Sequence, residues 1–224
     1  MNIKISNGMN FLDTILNIVF PVNCISCGKG SLDLCPKCLS NFPPALRESA
    51  DWIFPLYDYR HPSVKKAIWF FKYKNKKRLG AIFAEIMHGK IMEELSELSV
   101  MRNFRHSILM PVPLSPKRYK ERGYNQAEII CRKLMELDNN VNFKLEKNIL
   151  IKIKETEHQA NIKERKDRLK NLSGSFSVKN AEMIKSRNII LIDDVITTGA
   201  TLSEARKTLK QFGAKKIIAF TVAH

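Results

Sequence analysis

The stretch NIILIDDVITTGAT, residues 188–201, decides the fold. The four apolar residues at 189–192 predict a buried strand. Asp193 and Asp194 follow it, and a helix is predicted to open at Thr201. Two adjacent carboxylates at the end of a buried strand are costly unless they meet a polar partner. The vicinal hydroxyls of a ribose are such a partner. Val195, Thr197, Thr198, Gly199, Ala200 and Thr201 then supply backbone N–H groups and hydroxyls at a helix N-terminus, which suits a dianionic phosphate. Gly199 permits close backbone approach. Acids followed by a cradle suit a ribose 5-phosphate held end to end. The plainer alternative is an acidic strand end with an N-capping threonine.

Working outward, residues 52–59 (WIFPLYDY) read as a strand, 62–73 (PSVKKAIWFFKY) as a helix opened by proline, 74–78 as a basic turn and 79–98 as a longer helix. Residues 107–112 read as a short apolar strand, 114–126 as a basic loop, 126–137 as a helix and 149–153 as a strand. A helix over 201–212 and a strand over 215–222 complete the chain. Strands alternating with helices predict an α/β fold with a parallel sheet flanked by helices, whose ligands bind beyond the carboxyl ends of the strands. Pro43-Pro44 closes a smaller N-terminal module. The expected division is residues 1–50, an N-terminal helix and cysteine module, and 51–224, the α/β domain.

Four of the five cysteines sit together: Cys24 and Cys27, seven residues, then Cys35 and Cys38, each pair separated by two residues. That spacing lets both sulfurs of a pair face one point, and a turn at Gly28 brings the second pair to it. A closed tetrathiolate site suited to structural zinc is expected. Two disulfides are the main rival, disfavoured in a reducing compartment, and an iron–sulfur cluster is a further alternative. Cys131, alone in a predicted helix, reads as a buried inert thiol.

Lys and Arg number 38 against 22 Asp and Glu, a net charge of +16. Such an excess attracts polyanions: nucleic acid, phosphorylated metabolites or acidic membrane surfaces. A lysine-rich solvated surface is the plainer reading. No stretch approaches the about 20 apolar residues of a membrane span. Residues 11–22 (FLDTILNIVFPV) contain Asp13 and Asn17, lack a small-residue cleavage site and read as an amphipathic helix, so a cytoplasmic location is expected. Lys72, Tyr73, Lys74, Lys76, Lys77 and Arg78 stand next to Trp69, Phe70 and Phe71, a composition that suits single-stranded nucleic acid. At helical spacing, however, Trp69 and Phe70 read as core.

The string LIDDVITTGAT at 191–201 resembles the signature of type I phosphoribosyltransferases. The resemblance implies that Asp193 and Asp194 bind the ribose hydroxyls of phosphoribosyl pyrophosphate and serve as the catalytic acids, that the following loop binds the 5′-phosphate, and that Mg²⁺ sits on the pyrophosphate and ribose oxygens. Pro111-Val112-Pro113 and the basic residues after it, Lys117, Arg118, Lys120 and Arg122, stand where such proteins place their pyrophosphate loop. Arg118 and Arg122 are the chosen contacts, because a guanidinium binds phosphate in a bidentate manner. A solvated basic loop is the alternative.

With the paired cysteines in front, PVPLSPKRYKERGYNQA at 111–127 and HQANIKERKDRLKNLSGSF at 158–176 resemble the ComF/GntX family over nearly the whole chain. That family includes competence proteins needed for DNA uptake in natural transformation. The resemblance implies binding of phosphoribosyl pyrophosphate and single-stranded DNA, beside a DNA-uptake helicase or translocase. Gln159, Arg165, Arg168 and Asn171 match its pattern within 156–174, which resembles a mobile hood over the ligand; an exposed charged helix is the alternative. The competing function is a metabolic phosphoribosyltransferase acting on an unknown small-molecule acceptor, although no segment announces a nucleobase pocket. The loop at 188–201 speaks to what is held and leaves open whether a ribosyl group is transferred.

Overall fold

The computed structural model describes residues 22–30, 32–46, 49–102, 106–154 and 173–224, without the side chains of 97–102. In chain order the elements are α1 (Pro36–Ser40), β1 (Ile53–Tyr57), α2 (Pro62–Tyr73), α3 (Leu79–Arg102), β2 (Ser107–Pro111), α4 (Pro116–Arg122) and α5 (Gln126–Asp138). Then follow β3 (Phe143–Leu145), β4 (Leu150–Lys152), β5 (Phe176–Val178), a 3₁₀ turn at Ala181–Met183, β6 (Asn188–Val195), α6 (Ala200–Gln211) and β7 (Lys216–Ala223).

Five strands form one parallel sheet in the order β1-β7-β6-β2-β3, and β4 pairs with β5 in a separate antiparallel ribbon. A parallel sheet needs both faces covered, and the central strands show how the sequence does it. Ile190 and Ile192 of β6, with Ile218 and Phe220 of β7, point into one core with α2, α3 and α5. Ile189 and Leu191, with Ile217 and Ala219, point into the other, with Leu202, Ala205 and Leu209 of α6 and with Leu150 and Phe176 of the ribbon. The period of two along each strand thus serves two layers of cover. From β2 the chain winds outward to β3, whereas β6 leads to β7 on the opposite side. The gap between the carboxyl ends of β2 and β6 is therefore the switch point at which ligands of such sheets bind.

The cysteine-bearing segment joins the first core, where Cys24, Ile25, Leu34, Leu39 and Phe42 cluster with Phe71 and Phe83. Lys76 Nζ lies 2.8 Å from Oδ1 of Asp33, whose side chain is 3% exposed, and Ser26 Oγ lies 3.3 Å from Ser63 Oγ of α2.

The structure corrects several boundaries. Residues 116–122, expected as loop, form helix α4. Ser115 caps it by accepting from the Arg118 N–H at 3.4 Å, Pro116 opens it, and Gly123 closes it at φ 75°; this is the punctuation by which short helices start and stop. β6 runs past Ile192 through both acids to Val195, because its pairing with β7 continues to Val195 opposite Ala223. Helix α3 extends to Arg102. The three-residue strands β3 and β5 are too short to show a period in sequence. Cys131 is fully buried, and desolvation raises its thiol well above the ordinary range, as expected of an inert core cysteine. The amphipathic helix expected at 11–22 and the hood expected at 156–174, with its Gln159, Arg165, Arg168 and Asn171, lie largely outside the described residues. Among the described residues no helix is long and apolar enough to cross a membrane.

Helices α2, α3 and α5 close on each other at Gly80, where an added Cβ would stand 2.5 Å from Ile129 Cγ2 and 3.2 Å from Phe71 Cζ. Gly80→Ala is expected to lose about 1–3 kcal/mol by overpacking, read as a lower urea midpoint at an unchanged m-value. A stability equal to wild type would mean that the three helices are not packed this closely.

Candidate functional site

The extension of β6 places Asp193 and Asp194 inside the last turns of a paired strand. Successive residues of a strand face opposite sides, so the two carboxylates leave the backbone in different directions. Asp193 is half-buried and accepts a hydrogen bond from the Asp194 N–H at 2.8 Å, whereas Asp194 is 7% exposed. Burial of Asp194 demands a cation, and two are present. Lys72 Nζ, from α2, is 2.9 Å from Asp194 Oδ1. Arg122 Nη1, at the end of α4, is 3.7 Å from Asp194 Oδ2.

Asp193 is pushed up to about 7. Burial contributes most, then the neighbouring Asp194 carboxylate; the Asp194 N–H, Lys72 and Arg122 pull the other way without prevailing. Two carboxylates this close behave as a pair.

Both acids line a cavity of about 160 Å³ with Val195, Thr197, Thr201, Arg118, Arg122, Lys72, Tyr59, Asn125, Lys152 and residues 112–115. The expected anion contacts Arg118 and Arg122 thus meet the acids in one place, at the gap between the ends of β2 and β6. Asn125 fixes that gap: its Nδ2 donates to the Val112 carbonyl at 3.0 Å, while its Oδ1 accepts from the Ala127 N–H and caps α5. Arg122 is held from behind, with Nη1 donating to Gln126 Oε1 at 3.0 Å. Among the described residues its buried Nε has no hydrogen-bond acceptor. A guanidinium N–H in that condition favours the arrival of an anionic oxygen.

Beyond the acids the chain turns into α6. Gly199 adopts φ 76°, which only glycine takes readily, and caps the helix. Ala200 N–H donates to Thr198 Oγ1 at 3.4 Å. Thr198, Gly199 and Ala200 shape the turn, while Thr197 and Thr201 are the threonines that reach the cavity. His224 braces the turn from below: its Nε2 is 3.3 Å from the Thr197 carbonyl and its Nδ1 is 3.0 Å from Ser49 Oγ. A carbonyl only accepts, so Nε2 carries a proton; in the neutral ring Nδ1 then accepts from the serine.

Sequence reasoning missed Lys72, Tyr59, Lys152 and His224 as parts of this site. Lys72 reads in sequence as part of a basic cluster suited to single-stranded nucleic acid, but it turns inward to Asp194. Its one signal is its place beside Phe71, on the margin of the apolar stripe Val64, Ala67, Ile68 and Phe71.

The second constellation is the cysteine cluster. The sulfurs of Cys24, Cys27, Cys35 and Cys38 all lie within 4.8 Å of one another, and Cys27 and Cys35 are 3.8 Å apart. A tetrahedral site with Zn–S bonds of about 2.3 Å has sulfur–sulfur edges of roughly 3.8 Å, so the donors fit a structural metal. All four are free thiols, which sets aside the disulfide alternative in this structure. Burial opposes ionisation of Cys24, yet backbone N–H groups of Cys27, Cys35 and Ser26 outweigh it and draw the thiol down to about 6. Cys38 goes up to about 12: a hydrogen bond from Ser26 favours its thiolate, but burial and the three neighbouring cysteines overcome that help. Sulfurs at this spacing cannot all ionise without a cation among them.

Comparison with known proteins agrees with this geometry. The phosphoribosyl transferase domain model matches residues 121–224. Competence protein F of Haemophilus influenzae is 37% identical over 110 residues, 49% of this chain and 46% of that protein. Competence protein ComFC of Bacillus subtilis is 33% identical over 140 residues, 62% of this chain and 53% of that one. These matches support membership of the ComF family. The chain spans about half the length of these competence relatives. DNA utilization protein YhgH of Escherichia coli matches this chain more weakly but further, at 24% over 183 residues, 82% of this chain and 74% of that protein. Among solved structures, the hypoxanthine-guanine phosphoribosyl transferase of L. donovani superposes at a TM-score of 0.37 with 13% identity, covering 65% of this chain and 71% of that one; so loose a likeness adds nothing to the strand order.

The raised Asp193 has a consequence for stability. In the fold it keeps its proton up to about pH 7, but in the unfolded chain only to about pH 4. The unfolded state binds fewer protons in that window, so the stability of the ligand-free protein falls as pH rises through it. Asp193→Asn is expected to remove this slope, gaining a few degrees of melting temperature over wild type between about pH 5 and pH 8. A gap that does not change with pH would contradict the assignment.

Proposed function

We propose that this ComF-family chain binds phosphoribosyl pyrophosphate together with Mg²⁺ at the carboxyl end of β6, holds structural zinc on Cys24, Cys27, Cys35 and Cys38, and serves the handling of single-stranded DNA during uptake in natural transformation. The observation that carries the reading is the convergence, in one cavity at the sheet's switch point, of an acid pair, two threonines at a helix N-terminus and the cations Arg118, Arg122 and Lys72. Asp193 and Asp194 would accept from the ribose hydroxyls. The turn at 197–201 would hold the 5′-phosphate through its N–H groups and hydroxyls. Arg118 and Arg122 would take the pyrophosphate oxygens, the buried Arg122 Nε gaining the acceptor it lacks among the described residues. Mg²⁺ would neutralise pyrophosphate charge and reach the carboxylates. The competence names of the relatives, and the DNA utilization name of YhgH, support the role in DNA uptake.

Titration calorimetry with Mg²⁺ and phosphoribosyl pyrophosphate tests the ligand. Asp194→Asn is expected to weaken binding by about 10–100-fold, the worth of one or two charge-assisted hydrogen bonds; equal binding by both proteins would overturn the site. Elemental analysis tests the metal. One zinc per chain is expected, lost in Cys38→Ser; iron in its place, or no metal in wild type, would contradict the zinc assignment.

A further inference from the structure

Helix α2 has two faces. Val64, Ala67, Ile68 and Phe71 are buried, at the spacing of one helical stripe. That stripe places the large rings on the other side. Trp69 is 45% exposed and Tyr73 is 47% exposed, which overturns the expectation that Trp69 belongs to the core. Lys65, Trp69 and Tyr73 follow one another at intervals of four residues, as do Lys66, Phe70 and Lys74 beside them. Residues four apart are neighbours on a helix surface, so rings and cations form two adjoining rows. The contacts bear this out: Lys74 Nζ is 5.1 Å from the Trp69 ring centre and Lys66 Nζ is 6.0 Å from that of Phe70. Trp69 and Tyr73 are 6.2 Å apart. The Arg122 guanidinium, 5.4 Å from the Tyr73 ring, joins this surface to the acid cavity.

The charge along this stretch of chain is of one sign, although Lys72 and Lys76 turn inward to Asp194 and Asp33. Residues 59–84 contain Arg60, Lys65, Lys66, Lys72, Lys74, Lys76, Lys77 and Arg78 and no acidic residue. Soluble surfaces ordinarily intersperse both signs and keep few large apolar rings exposed beyond what function needs. A peptide partner would call for apolar pockets or acidic side chains; a single polynucleotide strand matches both features at once, its phosphates meeting the lysines and its bases offering flat faces to the rings.

We propose that the outer face of α2 is the single-stranded DNA surface of this protein, with Trp69 and Tyr73 as stacking platforms and Lys65, Lys66 and Lys74 as phosphate contacts. The proposal rests on the reading that the chain handles single-stranded DNA and assigns that role to particular side chains. A duplex keeps its bases stacked on each other, so the rings favour the single strand.

The test is fluorescence titration with oligothymidylate of about 15 nucleotides. The other tryptophan, Trp52, is 8% exposed and lies under Arg206, so Trp69 is expected to carry the quenching, and Trp69→Phe to abolish the signal while anisotropy of labelled oligomer still reports binding. Trp69→Ala is expected to weaken binding about tenfold or more, with phosphoribosyl pyrophosphate affinity and melting temperature unchanged. Lys65→Gln with Lys66→Gln is expected to reduce the salt slope by about one to two. If wild type binds the oligomer and Trp69→Ala binds it equally well, the stacking surface is wrong and the DNA reading survives. If wild type binds no single-stranded DNA at low salt, the DNA reading itself fails.

Discussion

Two carboxylates sit side by side where a buried strand leaves the sheet, and much of the surrounding structure answers to that charge. A pair so placed cannot be left uncompensated. The protein meets the cost in three ways: it keeps Asp193 protonated to about 7, it brings Lys72 to 2.9 Å from Asp194, and it lays Arg122 behind them. Each requires a different element, so α2, α4 and β6 must all be in register for the site to exist. Under the proposed function the same cations would be redistributed onto a polyanionic ligand.

Helix α2 links the parts of the molecule. Its buried stripe packs the first core, its Lys72 reaches the acid pair, and Ser63 at its start meets Ser26 of the cysteine module. Just after it, Lys76 pairs with Asp33 between the paired cysteines. The cysteine module is thereby attached to the helix that supplies the site's nearest cation. A metal that fixes four sulfurs fixes this attachment as well.

Much of this was legible in the sequence, for definite reasons. Residues 188–201 carry a buried strand, an acid pair and a glycine-containing turn in consecutive positions, so one local reading recovers the strand, the turn into the helix and the placement of Asp193 and Asp194 together. The cysteine spacing works in the same way. Helix α4 was missed because its lysines and arginines read as a loop, although Ser115, Pro116 and Gly123 mark its ends. Lys72 and His224 were missed for a deeper reason: they reach the site from far away in the chain, 122 residues before Asp194 and 27 residues after Thr197, and no local pattern records such a meeting. Trp69 was misplaced because a tryptophan beside apolar residues resembles core; only the placement of Ile68 and Phe71 tells which side of the helix faces inward.

The central claim is that the carboxyl end of β6 holds a ribosyl phosphate. A crystal structure grown with Mg²⁺ and phosphoribosyl pyrophosphate tests it most directly. The account predicts ribose hydroxyls on Asp193 and Asp194, the 5′-phosphate in the turn at 197–201, a pyrophosphate oxygen on Arg122 Nε and Lys72 drawn away from Asp194. Ligand bound elsewhere, with the Lys72–Asp194 pair intact, would contradict it.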